Sequence, residues 1–258
     1  MENTRPPDPR SGGRFRFDRM LLFGATLAAM KAPLALLIAC TSLLFAAGDP
    51  APATPRVGFA WPLPTCPVSG EPLGAKPVVR VLEDAKDPAV NGREVRFCCE
   101  KCVATFEADR AGSLRKADEA IVKMEWPWYP LVTCPVMPDE TIVSPGQAPP
   151  KGLRETVVGN QLIVLCCAQC ERKVRRNPAA WIEKIRAAMP KAHVPLYTLK
   201  TCPVSGKALP AEPCDIVLGG RLVRLCCDKC KAEAERDPQA TLAKLGPAPA
   251  AKPAETSR

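Results

Sequence analysis

The chain of 258 residues contains a single histidine, His193, and only 13 aromatic residues (Phe 7, Trp 4, Tyr 2). One imidazole nearly excludes histidine chemistry, and the histidine-based zinc-finger pattern that reads DNA is missing. The Cys-x-x-Cys-His haem-attachment motif is absent. No Ser-His-Asp set, paired-carboxylate site or phosphate-binding glycine loop stands out. The six methionines are dispersed, so there is no Met-rich copper tract. The formal charge is +9, of which residues 1–48 carry +3, and no long Lys/Arg block with interleaved aromatics occurs. That mild basicity argues against a nucleic-acid partner, and lysines and arginines near thiolates would also serve to balance their charge.

What the chain has is cysteine, 14 in all, and in register. Three apolar runs end in the same cluster: Cys98-Cys99-Glu100-Lys101-Cys102, Cys166-Cys167-Ala168-Gln169-Cys170 and Cys226-Cys227-Asp228-Lys229-Cys230. Each has a further cysteine upstream in a turn-like context, Cys66-Pro67-Val68-Ser69-Gly70, Cys134-Pro135-Val136-Met137-Pro138 and Cys202-Pro203-Val204-Ser205-Gly206. The cysteines of the first two copies are offset by 68 positions, and the third copy is eight residues shorter in its middle. A fixed period with cysteines in register predicts repeats. Each would be roughly 60 residues, a size at which a core alone is marginal and a staple is needed.

Within each copy the reading is a strand, a tight turn, a return strand, the cluster and then helix. The turns are Asn91-Gly92, Gly159-Asn160 and Gly219-Gly220, all suited to positive φ. The first helix is expected to stop near Asp109, Asn177 or Asp237, with Pro178 and Pro238 opening a second, short one. A strand-end cysteine and another in the first helical turn bring two sulfurs to one pocket, and the hairpin brings the leading cysteine there. Three or four convergent sulfurs suit Zn²⁺ or another soft metal such as Cu(I). The metal-ligand candidates are therefore Cys66, Cys98, Cys99, Cys102, Cys134, Cys166, Cys167, Cys170, Cys202, Cys226, Cys227 and Cys230. Disulfides, two per copy, are the alternative, giving an interaction module stapled by structural cysteines. Adjacent Cys-Cys pairs fit that reading poorly. A redox-active Cys-x-x-Cys would want a βαβ context that is missing. Cys214 has no counterpart and reads as packing, and His193 reads as an exposed linker residue.

These motifs resemble the YHS/TRASH family of small heavy-metal-binding domains over about 65 to 246. Shared features are the Cys-Pro-x-x-Gly opening, the Gly-x-x-Val-x-Phe-Cys approach from Gly92 to Cys98, the Cys-x-x-x-Cys spacing and the Asp237-Pro238…Leu242 ending. The second copy departs, with Met137-Pro138 for Ser-Gly and Val174 in place of Phe106. The resemblance implies metal binding in sensing, trafficking or resistance without catalysis. Its spacing selects Cys98, Cys166 and Cys226, whereas zinc-knuckle spacing selects Cys99, Cys167 and Cys227; both stay open. The expected fold class is small α+β: three tandem treble-clef-like repeats behind an N-terminal hydrophobic segment. In the second copy Pro138 replaces a glycine's conformational freedom, which predicts the weakest site there.

Arg14, Arg16 and Arg19 precede an apolar stretch from Met20 to Ala47 broken by Lys31 and Pro33. It reads as a transmembrane anchor, as a signal peptide starting at Met30, or as a lipoprotein signal ending at Cys40. Each of these exports the remainder of the chain to a periplasmic or extracytoplasmic site with possible membrane association; metal ions are the expected partners. The expected divisions are a leader (1–48), a Pro/Ala linker without a core (49–61), repeats at 62–125, 126–193 and 194–246, and a tail (247–258). Trp126 and Trp128 are expected to pack between repeats.

Overall fold

The first hairpin pairs β1 (Val78–Val81) with β2 (Glu94–Phe97), the second β3 (Arg154–Val158) with β4 (Gln161–Leu165), and the third β5 (Cys214–Leu218) with β6 (Arg221–Leu225). All three ladders are antiparallel, with Val78 opposite Phe97, Arg154 opposite Leu165 and Cys214 opposite Leu225. The computed structural model describes residues 54–142 and 152–246. The apolar stretch from Met20 to Ala47 and the C-terminal tail lie outside the described residues, and within these no helix is long and apolar enough to cross a membrane.

Each return strand is followed by two helices. These are α1 (Glu100–Ala108) and α2 (Arg110–Glu125), α3 (Ala168–Arg176) and α4 (Pro178–His193), then α5 (Asp228–Arg236) and α6 (Pro238–Leu242). A single residue, Asp109, Asn177 or Asp237, breaks each pair. The Asp109 carboxylate accepts from Gly112 N–H and that of Asp237 from Ala240 N–H, each at 3.0 Å, which caps the second helix. Asn177 makes no such bond, so Pro178 alone opens α4. The expected short second helix holds only for α6, of five residues; α2 and α4 run for 16. Ile121 and the Ile182, Ile185, Met189 stripe bury against the hairpins and lengthen these helices.

The turns divide as well. Gly159 and Asn160 have φ of 52° and 60°, and Gly219 and Gly220 of 51° and 67°, the geometry of a two-residue hairpin turn. Asn91-Gly92 does not form one. Leu82 N–H donates to Arg93 O and Gly92 N–H to Leu82 O, closing a longer loop. Asp84 and Asp87 organise that loop by accepting from the backbone of Lys86, Asp87 and Ala89.

Three cores lie beneath the hairpins, and each borrows from its neighbours. The second contains Phe59, Ala89, Val217 and Leu222, and the first contains Val157. The expectation that residues 49–61 form a linker without a core is overturned: Phe59, Ala60 and Trp61 are all at most 5% exposed. Phe59 N–H donates to Gly159 O at 2.9 Å, so this segment docks on the second hairpin turn. The aromatic-proline spacers dock likewise. Tyr129 OH accepts from Val164 N–H and Tyr197 OH from Arg224 N–H, at 3.1 and 3.2 Å.

The ends of the long helices lock the next hairpin. Glu125 accepts from Leu162 N–H at 2.7 Å, and His193 Nδ1 accepts from Leu222 N–H at 3.1 Å. His193 is thus buried rather than exposed; its Nε2–H donates to Trp128 O and burial lowers its pKa, keeping it neutral. Trp128 lies edge-on to His193 and under the Arg221 guanidinium at 4.1 Å, between segments as expected. Arg96 reaches the third segment, donating to the last-turn carbonyls of Glu235 and Arg236 in α5.

Asn160 gives the clearest test of this interlock. Its Oδ1 accepts from Arg93 Nε at 2.8 Å, and its Nδ2 donates to Phe59 O and Glu94 O at 3.1 and 2.8 Å. Asn160→Ala leaves these buried groups unpaired and strains a positive φ, and is expected to cost more than about 3 kcal/mol in chemical denaturation. Asn160→Gly relieves only the strain. If it restores most of the stability, the three hydrogen bonds are not what holds the segments together.

Candidate metal centre

Three groups of sulfurs converge: Cys66, Cys98 and Cys102; Cys134, Cys166 and Cys170; and Cys202, Cys226 and Cys230. Within each group every Sγ lies within 4.8 Å of the others. The leading cysteine sits in the turn before the hairpin, where Cys66 N–H donates to Glu71 O and Gly70 N–H returns to Cys66 O. The second cysteine follows the return strand, and the third lies in the first turn of α1, α3 or α5. The third and the leading cysteine are buried and the second is half-buried, so each group opens to solvent on one side.

The spacing between second and third sulfurs is 3.6 Å in the first and third groups and 3.7 Å in the second. Sulfurs bound tetrahedrally to one Zn²⁺ at about 2.3 Å sit about 3.8 Å apart, so little movement separates these groups from coordination. A disulfide needs about 2.05 Å. All thirteen cysteines among the described residues are unpaired.

The remaining cysteine of each pair, Cys99, Cys167 or Cys227, is the N-cap of its helix and stands outside the three groups. Its sulfur is nevertheless 3.7, 3.6 and 3.7 Å, respectively, from that of Cys102, Cys170 and Cys230. The geometry therefore brings together the sulfurs that the Cys-x-x-x-Cys spacing selects and leaves the neighbouring sulfur beside the third one.

The backbone around each group prepares thiolate. Burial would raise the Cys66 thiol, but N–H groups of Ser69, Cys98 and Val68 outweigh it and bring it down to about 7. Cys202 comes down to about 6 in the same way, with the Ser205 hydroxyl as its largest helper, and Cys134 is lowered too. N–H groups of the first helical turn lower Cys99, Cys167 and Cys227. Burial and sharing of their protons with the flanking sulfurs push Cys102 and Cys230 up to about 12. A lowered leading thiol beside a raised third one leaves each group ready to take a cation and release protons.

The strained knuckle expected at Pro138 is absent. Cys134 N–H reaches Glu140 O, one residue further than the Cys66–Glu71 and Cys202–Lys207 bonds. Gly70 and Gly206 have φ of 74° and 73°, whereas the longer turn lets Pro138 avoid that region. The physical basis for a weakest second site is thereby removed. Cys214 lies outside the groups and donates to Asp228 Oδ1 at 3.4 Å.

Sequence reading notes Met137 only as a departure from Ser-Gly and gives the residue three after each leading cysteine no role at the site. Ser69 Oγ contacts Cys98 Sγ at 3.5 Å and Ser205 Oγ contacts Cys226 Sγ at 3.3 Å; Met137 Sδ takes that place beside Cys166. The signal is present in the shared register, but by composition Met137 is one of six scattered methionines.

No family model, curated protein or solved structure matches the chain.

Proposed function

We propose that this protein binds soft metal ions, of the Zn²⁺ or Cu(I) kind, at three cysteine sites and acts in metal binding, trafficking or resistance rather than catalysis. The convergence of three sulfurs at near-coordination spacing, three times in one chain, carries this reading. Cys66, Cys98 and Cys102 would hold the first ion, with Cys99 or solvent completing the tetrahedron; the other two groups would do likewise. The hairpin–cysteine–helix order supports tandem treble-clef-like domains of the YHS/TRASH type. Export rests on the arginines preceding the apolar N-terminal stretch, and an N-terminal membrane tether belongs to the same proposal.

The test is metal stoichiometry of the full chain, reduced and loaded under anaerobic conditions. Close to three Zn²⁺ per chain is the expected result. Cys98→Ser should bring the count to two, while Cys99→Ser should keep three ions with one held more weakly. A chain that retains no metal after desalting, with all thiols titratable, would sink the proposal.

A further inference from the structure

The three groups are not chemically equal, and the difference lies at the residue three after the leading cysteine. In the first and third groups this residue is serine, whose N–H points at the leading sulfur and whose hydroxyl touches the second. In the second group Met137 holds the same place: its N–H points at Cys134 Sγ, and its thioether lies 3.9 Å from Cys166 Sγ. That separation is close to the roughly 3.8 Å expected between sulfurs sharing one tetrahedral ion. Met137 is 42% exposed, so packing does not account for its position, and its unbranched side chain can swing the short distance to an ion.

We infer that Met137 is a specificity-determining ligand that makes the second group a thiolate–thioether site selective for soft monovalent cations, Cu(I) and Ag(I), over Zn²⁺. The chemistry follows from donor softness. A thioether carries no charge and adds little for Zn²⁺, but thiolate and thioether together favour Cu(I). A serine hydroxyl is a hard donor and offers a soft ion nothing. The longer turn at Pro138 and Glu140 accommodates this side chain without positive φ. The inference rests on the metal-binding reading and adds a division of labour: two zinc-type sites flank one soft-ion site.

The experiment uses the full, reduced chain carrying ¹³C-methyl methionine, loaded with Zn²⁺ and titrated with Ag(I), which is redox-inert. The expected result is that the first equivalent of Ag(I) releases one zinc and moves one methionine methyl resonance, which is missing in Met137→Ser. Met137→Ser should lower the Ag(I)-over-zinc preference of that first step roughly tenfold. Ser205→Met should create a second such step with its own shifted methyl. Because both positions are exposed in turns, neither variant threatens folding. If three zincs bind and Ag(I) displaces them in one step, or the Met137 methyl stays still as zinc leaves, this inference is overturned and the metal-binding reading stands. A chain that binds neither zinc nor silver overturns both.

Discussion

Withdrawing Zn²⁺ from the loaded, reduced chain is expected to lower its unfolding free energy on the order of 10 kcal/mol or more. No single core substitution should match it. Each group ties together three parts of the chain that the hairpin alone does not fix: the turn at Cys66, the strand end at Cys98 and the first helical turn at Cys102. A two-stranded hairpin is marginal by itself, and cores of the sizes seen here are small. The check is denaturant unfolding with excess Zn²⁺ against unfolding with a chelator, both under reductant. Cys230→Ser should recover the chelated behaviour for one site only. Coincident curves with and without chelator would show that the sulfur groups contribute no metal-linked stability.

Glu125→Gln is expected to stabilise the protein at pH 8 by several kcal/mol and to change little near pH 4.5. The Glu125 carboxyl is 1% exposed, and burial pushes it up to about 8 against the pull of the Leu162 N–H and the Arg93 charge. Its Oε2 accepts from Leu162 N and Gln161 Nε2, whereas its Oε1 is buried with no partner. In the unfolded chain a glutamate titrates near 4.5. Between these values the folded state holds one proton more, so the contribution is fully present below 4.5 and is lost as pH climbs to about 8. Each unit of that interval weighs about 1.4 kcal/mol. Glutamine keeps the acceptor for Leu162 and carries no charge, so the variant should lose this part of the pH dependence. Denaturation of both proteins from pH 5 to 9 tests it, and parallel pH profiles would show that Glu125 is charged at no cost.

What the sequence determined by itself was local. Gly159-Asn160 and Gly219-Gly220 announce tight turns because only such residues take positive φ readily, and both turns form. Asp109, Asn177 and Asp237 mark the breaks between helices because short polar side chains compete for backbone N–H groups there, and all three breaks stand at those residues. The cysteine spacing alone placed sulfurs at strand ends and first helical turns.

Tertiary structure decided the rest. A constant offset of 68 hid that the first copy spends its extra residues inside the hairpin, from Leu82 to Arg93, while the second spends them before β3. Both placements keep the cysteines in register, so spacing cannot tell them apart. Phe59, Ala60 and Trp61 read as linker because their partners, Gly159 and the three cores, lie far away in sequence. His193 and Glu125 are buried for the same reason: each closes on a strand of the following hairpin. The adjacent cysteines are likewise told apart only in three dimensions, where Cys98, Cys166 and Cys226 lie within 4.8 Å of the leading sulfur and their neighbours stand outside the groups. Cys99, Cys167 and Cys227 occupy the helix N-caps in extended backbone conformation, with their sulfurs beside the third cysteine of each group. Periodicity reports which residues share an element; only packing reports which of two neighbouring side chains meets a third from elsewhere in the chain.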